Sequence, residues 1–137
     1  MSVEFLDTNI LIYAFDSSSP QKHDTARQLI TNLNESGNGA LSIQVLSEFY
    51  SVSTRKLKHP TARAHRTLAS FQLWTIHTST HSDLLRASRL QQHHNLSWWD
   101  ALVLNSAQQV NASILWTEDL NHNQRFGNLT IRNPFLD

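Results

Sequence analysis

The chain reads as an α/β domain, a parallel β-sheet with helices on both faces. Three observations predict it. Short apolar runs alternate with longer stretches whose apolar residues recur three and four apart, the rhythm of strand followed by helix. Glycine and proline number three each, too few for the turn that an all-β sandwich needs about every ten residues. A length of 137 residues supports one core and leaves no room for a second, so a single domain over 1–137 is expected.

Val3 to Leu6 is a short apolar run halted by Asp7-Thr8-Asn9, a buried strand followed by a helix start. Ile10 to Asp16 continues that helix. Pro20 suits the first position of the next helix, which runs to about Asn34 with an inward stripe of Ala26, Leu29, Ile30 and Leu33. Gly37-Asn38-Gly39 is a break, and Ala40 to Ser42 is a second strand. A helix follows from about Gln44 to Leu57, ended by Pro60. Thr61 to Phe71 is helical, and Thr75 to His77 is a weak strand. Thr80 to about His94 and Ser97 to Val110 are two further helices. Ser113 to Trp116 is a clear strand, a polar loop follows, and Leu129 to Ile131 is a last strand, placed at a sheet edge.

Composition removes several classes of function. Hydrophobic residues make up 39% and charged ones 16%, which suits a globular domain rather than a disordered tail. The absence of cysteine excludes disulfides, thiolate zinc sites and cysteine nucleophiles. The longest apolar run, Ile10 to Phe15, falls far short of the roughly 20 residues of a membrane span. The N-terminus carries Glu4 and Asp7 without a basic region, so it does not read as a signal peptide. A soluble cytoplasmic protein is the expectation.

The formal charge is zero, eleven basic against eleven acidic residues, but it is unevenly placed. No acid occurs between Glu48 and Asp83, a window holding Arg55, Lys56, Lys58, Arg63 and Arg66. Such a local basic patch binds phosphate even on a neutral protein. A solvated helical hairpin, or a surface for an acidic protein partner, is the plainer alternative.

Four acids have the opposite problem. In open parallel sheets, ligands bind at the carboxyl ends of the strands, near the point where strand order reverses. Asp7 follows the first strand and Asp119 lies just past the strand ending at Trp116. Glu48 shares a helical stripe with Val45 and Val52, an unusual place for a carboxylate. Asp100 sits in a helix that is apolar nearly all round. No lysine or arginine occurs before Lys22, between Arg27 and Arg55, or between Arg89 and Arg125, and all four acids fall in those gaps. Carboxylates brought together need a cation, and oxygen ligands without cysteine suit Mg²⁺ or Mn²⁺. Each acid also has a structural reading: Asp7 as a helix cap, Asp100 in a Ser97-x-x-Asp100 capping box, Asp119 in an Asx-turn, and Glu48 paired with Arg55 or a remote arginine.

The motifs resemble those of PIN-domain ribonucleases, with the bacterial VapC-type toxins the nearest group. The resemblance rests on Phe5-Leu6-Asp7-Thr8-Asn9-Ile10-Leu11-Ile12-Tyr13-Ala14, Val45-Leu46-Ser47-Glu48-Phe49, Trp98-Trp99-Asp100-Ala101-Leu102, Thr117-Glu118-Asp119-Leu120 and the ending Ile131-Arg132-Asn133-Pro134-Phe135. It implies a three-layer sandwich with a parallel sheet of strand order 3-2-1-4-5. It implies Asp7, Glu48, Asp100 and Asp119 as the metal-binding acids, with Thr8, Asn9 and Thr117 as polar pocket residues. It also implies Mg²⁺- or Mn²⁺-dependent RNA hydrolysis, a homodimer and a cognate antitoxin. Glu118 adjoins Asp119 and is the alternative fourth carboxylate. Two departures stand out: Trp98 and Trp99 where many relatives carry tyrosines, and Asn123 where many carry glycine.

Arg55, Lys56, Lys58 and Trp99 are the candidate RNA contacts, Trp98 or Trp99 by stacking a base rather than by filling the core. His122 is a further candidate for RNA contact, against a solvated loop histidine. A zinc site at His77-x₃-His81 or His93-His94 lacks the His-Glu-x-x-His pattern, and these positions read as exposed helix ends. Phosphotransfer enzymes of the haloacid-dehalogenase type want a second aspartate where Asn9 stands, and they and receiver domains want a late lysine, whereas the last lysine is Lys58. A non-catalytic RNA- or protein-binding module of the same fold remains the competing function.

Overall fold

The computed structural model describes residues 2–136. Five strands run parallel, the first four in chain order separated by helices, and the sheet has the order β3-β2-β1-β4-β6-β5. Its first strand, β1 (Val3–Leu6), lies between β2 (Gly39–Ser42) and β4 (Ala112–Trp116), both parallel to it. β3 (Thr75–His77) extends the sheet beyond β2. β6 (Leu129–Arg132) extends it beyond β4, also in parallel. The central strands are short and apolar because both faces are covered; Phe5, Leu6, Ala40, Leu41 and Leu115 have no solvent exposure.

The expected order 3-2-1-4-5 is correct through its five strands, the expected fifth being β6, but that strand is not the edge. A two-residue strand, β5 (Arg125–Phe126), pairs antiparallel outside it. The hairpin turn is Gly127-Asn128, with Gly127 at φ 63°, a conformation glycine adopts freely. The same region explains one departure from the family pattern. Asn123 sits at φ 69°, and asparagine is among the few residues besides glycine that tolerate the left-handed region.

The helices fall into two groups. The first comprises α1 (Thr8–Phe15), α2 (Pro20–Ser36), α3 (Ile43–Arg55) and α4 (Thr61–Ser70), with α1 against α2 and α3, and α3 against α4. The second is the hairpin of α5 (His81–His94) and α6 (Trp98–Gln109). α6 is buried continuously from Ala101 to Ala107, as its all-round apolar sequence requires.

Trp74 caps the β3 side of the core. A Cβ added at Gly39 would lie 2.4 Å from its indole ring, and the indole N–H donates to Asn34 Oδ1 at 2.7 Å. Trp116 is half-buried, its N–H donating to Glu4 Oε1 at 2.7 Å.

Under the α5–α6 hairpin lies a buried polar network centred on Asp83, 3% exposed. Thr80 and Asp83 form a capping box. Asp83 Oδ1 accepts from Asn105 Nδ2 and Arg86 Nη2, both at 3.0 Å. His77 Nε2 lies 3.3 Å from Asp83 Oδ2, and its Nδ1 lies 2.9 Å from Ser106 Oγ. Burial alone would push the carboxyl up, but the hydrogen bonds from Asn105, Thr80 and Arg86 outweigh it and hold Asp83 well below the usual range. His77 is thus half-buried and engaged, not an exposed helix end.

Candidate metal centre

The site forms where strand order reverses. Starting from β1, the chain goes one way to β2 and later returns on the other side to β4. Leu6 pairs with Trp116, so the residues after these strands, Asp7 and Thr117, emerge side by side. The Asp7 N–H donates to the Trp116 carbonyl at 3.0 Å.

Asp7 does cap α1, accepting from the Thr8 N–H at 2.7 Å through Oδ1. Its other oxygen accepts from Thr117 Oγ1 at 2.8 Å. Capping accounts for one oxygen and leaves the carboxylate 7% exposed among other acids. Burial pushes Asp7 up to about 7; the Thr117 and Thr8 hydrogen bonds oppose this, and the neighbouring Asp119 and Asp100 add to it.

Asp100 lies in the first turn of α6, where Ser97 Oγ accepts its backbone N–H at 3.1 Å. The Ser97 cap is real, but the carboxylate gathers with Asp7 and Asp119: one oxygen from each lies within 4.8 Å of the others. Asp100 is also raised, chiefly by burial and further by Asp119. Asp119 accepts from Asn9 Nδ2 at 3.0 Å, and its N–H donates to Thr117 Oγ1 at 3.1 Å. Thr117 is fully buried and links both strand ends through one hydroxyl.

Glu48 lines the same pocket, about 250 Å³ in volume, with Asp7, Thr8, Asn9, Asp100 and Asp119. Its partners are Thr8 Oγ1 at 3.3 Å and Gln44 Nε2 at 2.8 Å. Neither Arg55 nor a remote arginine pairs with it, and it stands outside the close group of three. Glu118 turns the other way, accepting from Tyr13 Oη at 2.7 Å and Lys22 Nζ at 2.9 Å. Asp119, not Glu118, therefore joins the cluster. Among the described residues, no salt bridge reaches Asp7, Glu48, Asp100 or Asp119.

The donor set fits a hard divalent cation. All its ligand atoms are oxygens, negative charge is concentrated without a protein counter-charge, and the Asn9 Oδ1 carbonyl beside it is buried without a partner. Trp99 stands at the rim of the pocket, 61% exposed, whereas Trp98 packs against Ala87, Ala101 and Leu102. Arg55, Lys56 and Lys58 are exposed at the far end of α3. His122 is half-buried and does not line the pocket: its Nδ1 accepts the Asn133 N–H at 2.9 Å and ties the loop to the tail.

Sequence reasoning missed the Tyr13–Lys22–Glu118 cluster, in which Lys22 also lies 4.8 Å from the Tyr13 ring centroid. No local pattern signals it, because its members come from three segments. The Asp83 network was partly legible as Thr80-x-x-Asp83.

An α/β sheet with a carboxylate cluster at its reversal point defines a class of site. The PIN domain family model matches residues 5–125, and the chain belongs to that family. No curated protein matches it by sequence. Among solved structures, VapC20 of Mycobacterium tuberculosis, a sarcin-ricin loop cleaving toxin, is 19% identical with a TM-score of 0.68, over 85% of this chain and 91% of that one. A toxin–antitoxin complex from Klebsiella pneumoniae is 24% identical with a TM-score of 0.70, over 98% of each chain. VapBC2 from Rickettsia felis, bound to a DNA fragment from its promoter, is 23% identical with a TM-score of 0.66, over 96% of this chain and 98% of that one.

Proposed function

We propose that this single PIN domain is a Mg²⁺- or Mn²⁺-dependent ribonuclease, the toxin of a toxin–antitoxin pair. The observation that carries the reading is the meeting of Asp7, Asp100 and Asp119, three acids from separate segments, within 4.8 Å and without a protein cation. The likeness to toxin structures supports the biological role. RNA and a cognate antitoxin are then the partners, and a homodimer the assembly.

Asp7, Asp100 and Asp119 would hold the cation, with Glu48 completing the acidic wall of the pocket. Such a cation supplies Lewis acidity toward water and the phosphate oxygens when bound. The chain supplies the rest. Thr117 orients Asp7, Asn9 orients Asp119, and Thr8 holds Glu48 through its hydroxyl. Trp99 offers an exposed ring at the rim for a base to stack on. Arg55 lies two helical turns from Glu48, about 10 Å along α3, so Arg55, Lys56 and Lys58 can hold phosphates flanking the bond that is hydrolysed.

The test is cleavage of single-stranded RNA by the purified chain with Mg²⁺. Cleavage that disappears in chelator and falls at least about 100-fold in Asp100→Asn is the expected result. Full activity in a folded Asp100→Asn chain, or in chelator, would end the metal-site reading. RNA binding without any cleavage would favour the non-catalytic module. A small neighbouring reading frame with a DNA-binding pattern would support the antitoxin.

A further inference from the structure

A larger cleft, about 640 Å³, lies outside the carboxylate pocket, lined by Arg86, Arg89, His93 and His94 of α5 with Gln108 of α6. Positions 86, 89 and 93 follow three-and-four spacing and form one stripe. No carboxylate lines the cleft. From Leu84 to Thr117 the single acid is Asp100, which belongs to the other pocket. Arg89 is exposed and has no salt bridge among the described residues. Arg86 gives Nη2 to Asp83 but leaves its Nε buried without a partner.

Flat rings stand among these charges. His93 packs edge-on against His94 with ring centroids 4.7 Å apart, and His94 packs likewise on Phe126 at 4.9 Å. Arg125, exposed in β5, precedes Phe126. His94 is five residues before Trp99, a span of at most about 18 Å. The cleft therefore opens within a few nucleotides of the acidic pocket.

We infer that this cleft is a second RNA subsite, holding backbone phosphates and a base of the single strand that flanks the cleaved bond. The inference rests on the ribonuclease reading. Guanidinium groups interleaved with rings suit a chain of phosphates and bases, since bases stack on rings while cations track the backbone. An acidic peptide would use the charges but not the rings.

The experiment compares RNA binding by full-length Asp100→Asn with the same chain carrying Arg89→Glu and His93→Glu, both exposed positions. The probe is a single-stranded RNA dodecamer in Mg²⁺, read by fluorescence anisotropy over a range of salt. Binding should weaken roughly tenfold, and the salt slope should fall by about 1 for each phosphate that no longer meets a cationic side chain. Arg89→Lys should keep most of the affinity. In the otherwise unaltered enzyme, Arg89→Glu with His93→Glu should slow cleavage of the dodecamer and leave cleavage of a dinucleotide, too short to reach the cleft, unchanged. Unchanged affinity and slope would overturn the proposal, as would tighter binding of polyglutamate than of RNA to the unaltered cleft. Failure of the wild type to cleave either RNA counts against the ribonuclease reading alone, because the binding comparison does not require cleavage.

Discussion

Asp7 serves the site at the expense of the fold. It is buried beside two other acids, and its carboxyl is pushed from 3.8 up to about 7. A value raised in the folded state means that folding favours the protonated form. The contribution of Asp7 to stability is therefore full below pH 4 and declines as pH rises through 7, in the absence of a cation. Asp7→Asn removes the charge and keeps an acceptor for the Thr8 N–H. At pH 8 without metal, it should raise the unfolding free energy by roughly 1–3 kcal/mol, measured by urea denaturation. The gain should vanish at pH 4; a loss of stability at pH 8 would refute it. Thr117→Val tests the shared hydroxyl. It should weaken Mn²⁺ binding by about 10- to 100-fold and cost roughly 1–3 kcal/mol in stability. Which of Glu118 and Asp119 faces the pocket was not legible in the sequence. Both lie in the bend after β4, and their orientation is set by partners from distant segments: Tyr13 and Lys22 hold Glu118, while Asn9 and Thr117 hold Asp119.

Elements depend on contacts of a different kind. The α5–α6 hairpin is held by Asp83, whose oxygens are shared among Thr80, Arg86 and Asn105 beside His77. Asp83→Ala leaves the buried Asn105 amide without its acceptor and breaks the Arg86 pair, and should cost roughly 3 kcal/mol, about 10 °C in Tm. Because Asp83 is held below its ordinary value, its contribution is present above pH 4 and lost as pH falls further. The wild type should therefore lose stability more steeply below pH 4 than Asp83→Ala does, in melts over a pH series. Parallel slopes would contradict this. Gly39→Ala would drive a methyl group into the Trp74 ring and should cost roughly 1–3 kcal/mol by overpacking. The long helices and apolar strands were legible because their spacing repeats over several turns or alternations. The β5 strand was not, since two residues carry no periodicity; Gly127-Asn128 was the one signal it offered.

Across the molecule, four acids far apart in sequence reach one pocket because the sheet reverses between β1 and β4. The gaps in lysine and arginine placement leave the segments that carry these acids without a cation of their own. Lys22, the nearest candidate in sequence to Asp7, is spent on Glu118. Glu48 was legible as a misplaced acid on an apolar stripe, but its separation from the group of three depends on how far α3 stands from α6, which spacing does not specify. The arginines of the 55–66 window and those of α5 lie in segments that carry no free acid of their own. The molecule thus combines a negative pocket with positive surfaces, the distribution suited to holding a cation while drawing in a polyanion.

Mn²⁺ binding, followed by electron paramagnetic resonance or calorimetry without RNA, probes the pocket most directly. Wild type should bind with saturable stoichiometry, Glu48→Gln should bind more weakly, and a chain with Asp7, Asp100 and Asp119 all changed to Asn should not bind at this pocket while remaining folded. Equal Mn²⁺ binding by the wild type and the triple variant would contradict the account.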